Sequence, residues 1–418
     1  MTSITYTPEN SPRAAPAGLS GSLRRAEGAS RLKAYLLIAP LFLFLLFTFA
    51  LPIVSVLWNS VDNPLFSRVM PRSSMALQAW DAARPGLPSD ETMAVFAEEL
   101  RAANRSREVS KLATQANFDT PGLRNLLIRT GRAVEREPGA VGRTQLQAID
   151  AQWASRDTWA AMRRLGAELT PDHYLHALDL RRDAEGVSRQ PTDLRLYMSV
   201  ALRTFWISGL VAAICLLLGY PLAYFLAHAP ARWGNLLLIM VLLPFWTSML
   251  VRTVAWVVVL QTEGVLNSLL LALGLIDERI QMVFNRFGVV VAMVHILLPY
   301  MVLSLYSVMK SIPPAYVRAA RSLGANAAVA FWRVYVPQTL PGVFAGVLLV
   351  FILALGFYVA PAILGGANDQ MVSFYIADHL NNSLNWGLAA ALGALLLIGV
   401  MTLYAVYARV IRAQRKDG

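Results

Sequence analysis

The residues of this chain that could do chemistry are few and widely spaced. Of its five histidines, only His173 and His176 lie close together, and the pair lacks carboxylate and third-ligand support. The single cysteine, Cys215, excludes an intramolecular disulfide and a thiol-based metal site. The sequence contains no Gly-Lys-Ser/Thr phosphate loop, no His-Glu-x-x-His and no Gly-x-Ser-x-Gly. We therefore expect no catalytic residue, no metal and no cofactor on this chain.

A charged residue inside an apolar run is one remaining candidate. Arg252 lies between Trp246 and Trp256, and a charge within a membrane helix is costly unless it faces a partner or water. It could pair with Glu263 or another acid of an outer loop and act in a gate. Alternatively, its side chain could extend to the membrane surface.

Aromatic and imidazole side chains in the apolar runs are the other candidates for a translocation path. Phe245, Trp246 and Trp256 could stack on an organic cation, or they could be packing residues in contact with lipid. His295 could line a cavity, or it could be a packing residue with one hydrogen bond. The residues alone leave both alternatives open.

Apolar runs of roughly twenty residues or more position these side chains. A run of that length crosses the ~30 Å hydrocarbon layer as a helix. The composition, with 56% hydrophobic residues, therefore predicts an all-α polytopic membrane protein. It has six predicted spans, at residues 34–58, 197–228, 233–260, 287–309, 336–364 and 386–410.

The distribution of the net charge of +11 along the chain is typical of a membrane protein and not of a nucleic-acid-binding surface. Residues 61–196 have a formal charge of +1, so the other residues have +10, mostly in short segments beside the apolar runs. This is the positive-inside pattern. It predicts that both termini lie in the cytoplasm, where residues 1–33 form a disordered tail and residues 411–418 a short one.

A polar region, residues 61–196, separates the first two spans and is expected on the periplasmic side. Its apolar residues recur three and four positions apart, which predicts mainly amphipathic helices. The clearest windows are residues 91–103, 123–134 and 144–162.

The loop at residues 311–337, after the fourth span, is the most informative segment. Ser311 is expected to cap a helix that begins with two prolines, the second being Pro314. Gly324 would allow a turn into a second short helix that ends near Pro337. A basic cytoplasmic helix with a face of small residues could insert into a groove on a soluble partner, or it could lie on the membrane.

This loop resembles the EAA signature of type I permeases of ATP-binding-cassette importers: Glu-Ala-Ala, three residues, Gly, then a hydrophobic residue and Leu-Pro. The family's Gly-to-Pro spacing is kept, but Arg318 stands where the family usually has Glu. By this resemblance, the residues that couple to the ATPase are Pro314, Arg318, Ala319, Ala320, Gly324, Val334 and Pro337.

Other segments resemble the spermidine/putrescine branch of that family, over residues 197 to about 407. Examples are Leu243-Pro-Phe-Trp-Thr-Ser and Gly264-Val-Leu-Asn. By this comparison, residues 65–168 are an insertion relative to short family members, and the family implies no role for them.

The resemblance implies a six-span permease fold in a bacterial inner membrane, and an import mechanism. A second homologous permease subunit, two ATP-binding subunits, a periplasmic solute-binding protein and membrane lipid would be its partners. ATP hydrolysis would reside on the partner chains, and the solute would be polyamine-like. Two alternatives are a membrane-anchored interaction protein and a secondary transporter without an ATPase. The EAA-like loop argues against both, because neither needs a small-faced helix with this spacing.

Overall fold

The computed structural model describes residue 33 and residues 35–82, 84–137, 139–183 and 186–414. Within these residues, six helices are long and apolar enough to cross a membrane, which confirms the predicted six-span fold. They are Tyr35–Asn59, Tyr197–His228, Met249–Ala272, Arg286–Ser311, Ala327–Leu355 and Trp386–Arg409, here called the first to sixth spans. The tail expected at residues 1–33 lies outside the described residues except for Lys33. At the other end, the sixth helix continues to Gln414, into the segment expected to be a tail.

Contacts divide the chain into two units, between Val56 and Leu57. The described part of the first unit is helical and includes a π-helical turn at Leu46–Ala50. Its large apolar side chains, such as Leu37 and Phe47, are exposed. An apolar helix with exposed side chains is the form that lipid favours, because the helix satisfies its own backbone groups. The features below all belong to the second unit.

The second, fourth and fifth spans pack against one another around one apolar core. The fourth span is central, and two-thirds of its most apolar window is buried. Cys215 of the second span lies in this core with Met293, Met301 and Val350. The buried thiol is thus a packing group.

The third span, Met249–Ala272, begins and ends later in the chain than the continuous helix expected at residues 233–260. The helix Ala231–Leu242 ends in a 3₁₀ turn, Leu243–Trp246, and a new helix, Met249–Leu260, begins two residues later. Pro244 lies in the turn, and proline in a helix interior removes a hydrogen bond and clashes with the preceding turn. The spanning element is completed by the helix Val265–Ala272.

The fifth span is displaced toward the N-terminus of its expected range, residues 336–364. Its helical residues begin at Ala327 and end at Leu355, with Gly356 as the C-cap. A separate short helix, Val359–Leu364, follows. The remaining elements before the sixth span are the 3₁₀ turn Ala367–Asp369 and the helix Val372–Asn381.

The polar region has an apolar core of its own, formed by residues between Phe66 and Leu165. At its centre, the rings of Phe96, Trp153 and Trp159 lie 5.0–5.2 Å apart, and the Trp153 indole N–H donates to Thr130 Oγ1 at 2.9 Å. The helices are Pro64–Val69, Pro71–Ala79, Asp90–Arg105, Val109–Asp119, Leu123–Arg136, Arg143–Ile149 and Arg156–Leu165, with a 3₁₀ turn at Ala151–Ala154. The window expected as one helix at 144–162 is thus divided, because Asp150 and Ser155 each act as an N-cap.

The two ends of this helical module meet in a narrow neck. The Asn63 amide N–H donates to the Glu168 carbonyl, and that of Thr170 donates to the Val61 carbonyl, both at 2.8 Å. The side chain of Asn63 is buried and donates to the Leu165 carbonyl at 3.0 Å. The module therefore leaves and rejoins the rest of the chain at adjacent points.

A short segment joins the neck to the second span. It contains the helix Asp172–Ala177, an antiparallel hairpin, Leu180–Asp183 with Gly186–Arg189, and a 3₁₀ turn, Thr192–Leu194. Sequence periodicity did not indicate the hairpin, since neither Leu-Arg-Arg-Asp nor Gly-Val-Ser-Arg alternates apolar and polar residues.

Candidate site in the 311–337 loop and the third span

A short helix, Pro314–Ser322, forms the exposed part of the 311–337 loop. Pro314 is tolerated at its start because the first amide groups of a helix have no helical partner. The expected Ser311 cap is wrong. Ser311 is the last residue of the fourth span, and its Oγ donates to the Val308 carbonyl at 2.8 Å. The N-cap is Pro313, which makes no side-chain cap bond.

One side of this helix is attached to the membrane core and the other is exposed. Val317 packs against the core, as does Ile312 just before the helix. Ala320 is half-buried, and Leu323 at the helix end is 90% exposed. All the other residues of the helix are exposed, namely Pro314, Ala315, Tyr316, Arg318, Ala319, Arg321 and Ser322. The helix is therefore anchored, and its outward side chains are mostly small or basic, with one aromatic ring, that of Tyr316.

The chain turns at Gly324 and re-enters helical structure at once. Gly324 has a φ of 92°, in the left-handed region that glycine adopts without steric cost. The Asn326 side chain then accepts the Val329 amide at 2.8 Å and caps the helix Ala327–Ala330. The turn predicted at Gly324 is thus present.

The second short helix does not end near Pro337 as expected. A π-helical turn, Phe331–Tyr335, follows Ala330 and leads directly into the helix Val336–Leu355. Val334 is half-buried in this turn, and Pro337 lies in the first turn of the next helical segment. The π turn changes the hydrogen-bond register, so the missing amide of Pro337 falls at a junction where it costs little. The loop is therefore continuous with the fifth span.

An aromatic cluster joins this π turn to the end of the second span. The ring of Tyr224 lies 5.5 Å from Phe331 and 5.4 Å from Tyr335, edge-on to both. The His228 ring lies 5.4 Å from that of Tyr335. Sequence reasoning missed this cluster. Its only signal was the aromatic pair at positions 331 and 335, which share a helix face.

Two glycines of the fifth span allow it to approach the fourth span closely. A Cβ placed on Gly342 would lie 2.9 Å from Val308 Cβ, and one on Gly346 would lie 2.8 Å from Met301 Sδ. The Gly-x-x-x-Gly pattern thus serves packing within this chain.

The proposed path residues divide into two groups. The Trp256 indole N–H donates to His295 Nδ1 at 3.2 Å, and the Phe245 ring lies 5.0 Å from Tyr300. Both contacts attach the third-span region to the fourth span. Trp246 is 76% exposed. Phe245, Trp256 and His295 thus lie at a helix–helix contact, whereas Trp246 faces outward.

Arg252 has no acidic partner among the residues that the structure describes. Its Nε and Nη1 atoms are buried without a hydrogen-bond partner. Glu263, the acid considered for it, instead accepts from Arg279 Nη1 at 3.1 Å. Arg252 lies one helical turn before Trp256, on the same face.

The loop residues and the path residues form separate sites. His295 precedes Ser311 by sixteen positions in the fourth span, which corresponds to about 24 Å along the helix axis. Among the described residues, no three His, Cys, Asp or Glu side chains are grouped so that they could hold a metal ion.

Comparison with known proteins places these features in a family. Residues 219–416 match the model of the binding-protein-dependent transport system inner membrane component. The chain is 37% identical over 221 residues to the spermidine/putrescine transport system permease protein PotB of Escherichia coli, covering 53% of this chain and 80% of that protein. With the protein of the same description from Haemophilus influenzae it shares 36% identity over 214 residues, covering 51% and 75%.

Among solved structures, a bacterial alginate ABC transporter bound to a periplasmic protein has a TM-score of 0.43 and 17% identity. That match covers 52% of this chain and 78% of the other.

The six spans of the present chain, together with the matching family model, make it a multi-pass inner-membrane protein. The identity and coverage of its relatives show that it belongs to the type I permeases of ATP-binding-cassette importers, in their spermidine/putrescine branch.

Proposed function

We propose that this permease takes up a polyamine-like solute, and that the helix Pro314–Ser322 transmits the movement of a partner ATPase to the spans. The observation that carries the proposal is an exposed, small-faced helix whose following chain is continuous with the fifth span. A partner that displaces the helix would therefore act on the span through fewer than fifteen residues of connected backbone.

The contacts of the loop offer a path for this movement. Val317 attaches the helix to the core, and the cluster of Phe331, Tyr335, Tyr224 and His228 attaches the π turn to the second span. Close packing at Gly346 then connects the fifth span with the fourth. Densely packed contacts of this kind transmit displacement because they cannot compress.

The charge of the helix indicates the surface it would dock against. Arg318 and Arg321 are exposed, and the helix Pro314–Ser322 contains no acid. Complementary charge favours specific association. The groove of the cognate ATPase subunits is therefore expected to be acidic, opposite to the groove that a Glu at position 318 would require.

The orientation follows from the same proposal. If the loop docks on a cytoplasmic ATPase, six spans place both termini in the cytoplasm and the helical module outside. The exposed basic residues of the loop agree with the positive-inside rule. A periplasmic binding protein would deliver the solute at the outer face, and a second homologous permease would complete the pathway.

The solute class rests on the similarity to PotB proteins. The contact of Trp256 with His295 is the part of the path that could offer an aromatic face. Arg252, one turn away, disfavours a cation at that level unless a carboxylate neutralises it. We propose that the second permease supplies this carboxylate.

An exposed substitution tests the docking. Ala319→Glu would place a bulky acid on the small face, opposite the expected acidic groove. We expect about tenfold less co-purified ATPase, which corresponds to about 1.4 kcal/mol, and a similar fall in stimulated ATP hydrolysis. Ala102→Glu, at an exposed helix position of the module, is the matched control. Wild-type ATPase recovery and hydrolysis in the Ala319 variant would refute the docking.

For the module, we propose that it contacts the binding protein or covers the outer vestibule. The adjacent ends of the neck allow residues 64–167 to be removed and replaced by a short Gly-Ser linker. We expect this deletion to abolish uptake while the permease still assembles with its ATPase. Unchanged uptake would eliminate both roles.

A further inference from the structure

A polar cleft lies between the helical module and the segment that precedes the sixth span. Its volume is about 820 Å³. The lining includes Arg68, Lys111 and Arg124 of the module, and Asn59 and Trp386 from outside it. The cleft belongs to neither the 311–337 loop nor the path residues.

The side chains that line the cleft are mostly positively charged, which favours an anionic ligand. Arg68, Lys111 and Arg124 are exposed, and in the described parts of the chain none of them makes an ion pair or a side-chain hydrogen bond. The single acid of the lining is Asp62. Three cations against one carboxylate repel a polyamine and attract an anion with several oxygen acceptors, such as a phosphate ester.

The position of the cleft indicates that the anion is attached to apolar chains. Asn59 is the last residue of the first-span helix, and Trp386 is the first residue of the sixth. The cleft therefore lies where two membrane helices end, at the level of the lipid headgroups. Trp386 is 58% exposed at its rim, and tryptophan is favoured at this depth because its ring has an apolar body and a polar N–H.

We propose that this cleft binds the headgroup of an acidic phospholipid, whose acyl chains pass Trp386 into the bilayer. A free phosphate ion would gain nothing from the exposed apolar rim, and an acidic protein segment would not require a site at the headgroup level. The lipid would join the module to the sixth span at a second point besides the neck. This inference depends on the six-span fold and not on ATPase coupling.

Lipid retention by the full-length permease tests the proposal. The protein is reconstituted in vesicles of phosphatidylcholine with phosphatidylglycerol, extracted into mild detergent, and analysed for bound lipid by native mass spectrometry. A cation near a lipid surface contributes roughly fivefold in affinity, so the double variant Lys111→Gln/Arg124→Gln should retain about 25-fold less phosphatidylglycerol. Arg132→Gln/Arg136→Gln removes two exposed cations of the helix Leu123–Arg136 that do not line the cleft, and its retention should be unchanged.

A second variant distinguishes loss of the lipid site from misfolding of the double variant. Ser110→Asp adds an acid at an exposed cleft position without removing a cation, and it should also lower phosphatidylglycerol retention. Equal retention by the cleft and control variants would overturn the proposal. It would also be overturned if millimolar inorganic phosphate displaced the lipid, or if the cleft variants kept the lipid but lost the binding protein. Displacement by phosphate would indicate a free-anion site, and loss of the binding protein would indicate a protein-docking surface.

Discussion

Asp179 supports the start of the second span, and its charge should be essential to the stability of that end of the molecule. Its side chain is buried, and Oδ1 accepts the backbone amides of Leu196 and Tyr197, both at 3.0 Å. Oδ2 accepts the amide of Met198 at 2.8 Å. One carboxylate thus satisfies three amide groups at the N-terminus of a 32-residue helix.

The substitution Asp179→Asn isolates the charge. Asparagine has nearly the same size, and it also tolerates the left-handed backbone that Asp179 adopts at a φ of 56°. It keeps the two bonds to one oxygen, but it replaces the acceptor for Met198 by a donor. A charge at a helix N-terminus contributes up to ~2 kcal/mol when partly buried, and an unsatisfied buried amide costs about 1–3 kcal/mol. We expect a loss of about 2–3 kcal/mol, or about 3 °C in Tm for a chain of this length.

The assay is thermal unfolding of the purified permease in detergent, followed by tryptophan fluorescence. Asp193→Asn is the matched control, because Asp193 is exposed and lies in the same connecting segment. The control should unfold at the wild-type temperature. If Asp179→Asn also unfolded within 1 °C of the wild type, the carboxylate would not be the main cap of the second span.

Two further predictions concern packing and pH. Gly342→Val would bring a Cβ to 2.9 Å from Val308 Cβ, which is fixed to the backbone and cannot rotate away, so we expect a loss of about 1–3 kcal/mol, seen as a lower Tm, whereas Gly393→Val, with open space around it, should be neutral. A neutral Gly342 variant would contradict close packing of the fourth and fifth spans. Burial lowers the pKa of His379, although the neighbouring Asp378 opposes this shift. The unfolded chain therefore binds the proton more readily, and the stability from His379 is complete above about pH 6.5 and lost as the pH falls below it. Tm measured at pH 7.5 and 5.0 should fall less in His379→Gln, and an equal fall would exclude this histidine as the cause.

The spans were predictable because the membrane imposes a length and a composition on each one. Four of the six apolar runs, the first, second, fourth and sixth, agree with the observed spans to within about two residues at both ends, and the bounds of the second span, Tyr197–His228, are the same. The errors lie where proline or glycine changes the helix locally. Pro244 breaks the run expected at 233–260, whereas Pro337 does not end its helix, because a π turn precedes it.

In the candidate sites too, local features could be predicted from the sequence, whereas contacts between distant residues could not. Gly324 and the small, basic face at Arg318 and Ala319 were readable from the sequence, since turn geometry and residue size are local properties. The contact of Trp256 with His295 joins residues 39 positions apart, and no local pattern indicates it. Glu263 pairs with Arg279, and Arg252 has no acidic partner among the residues that the structure describes.

The amino-acid sequence by itself determined that this chain crosses the membrane six times, belongs to a permease family and has a basic loop with a small-residue face. Only the tertiary structure decided what surrounds these elements: the neck that closes the helical module, the aromatic cluster behind the loop and the basic cleft at the ends of two spans. The physical reason is that hydrophobicity and turn propensity act over a few neighbouring residues. Hydrogen bonds, ring contacts and charge clusters instead depend on which distant residues the packed helices bring together.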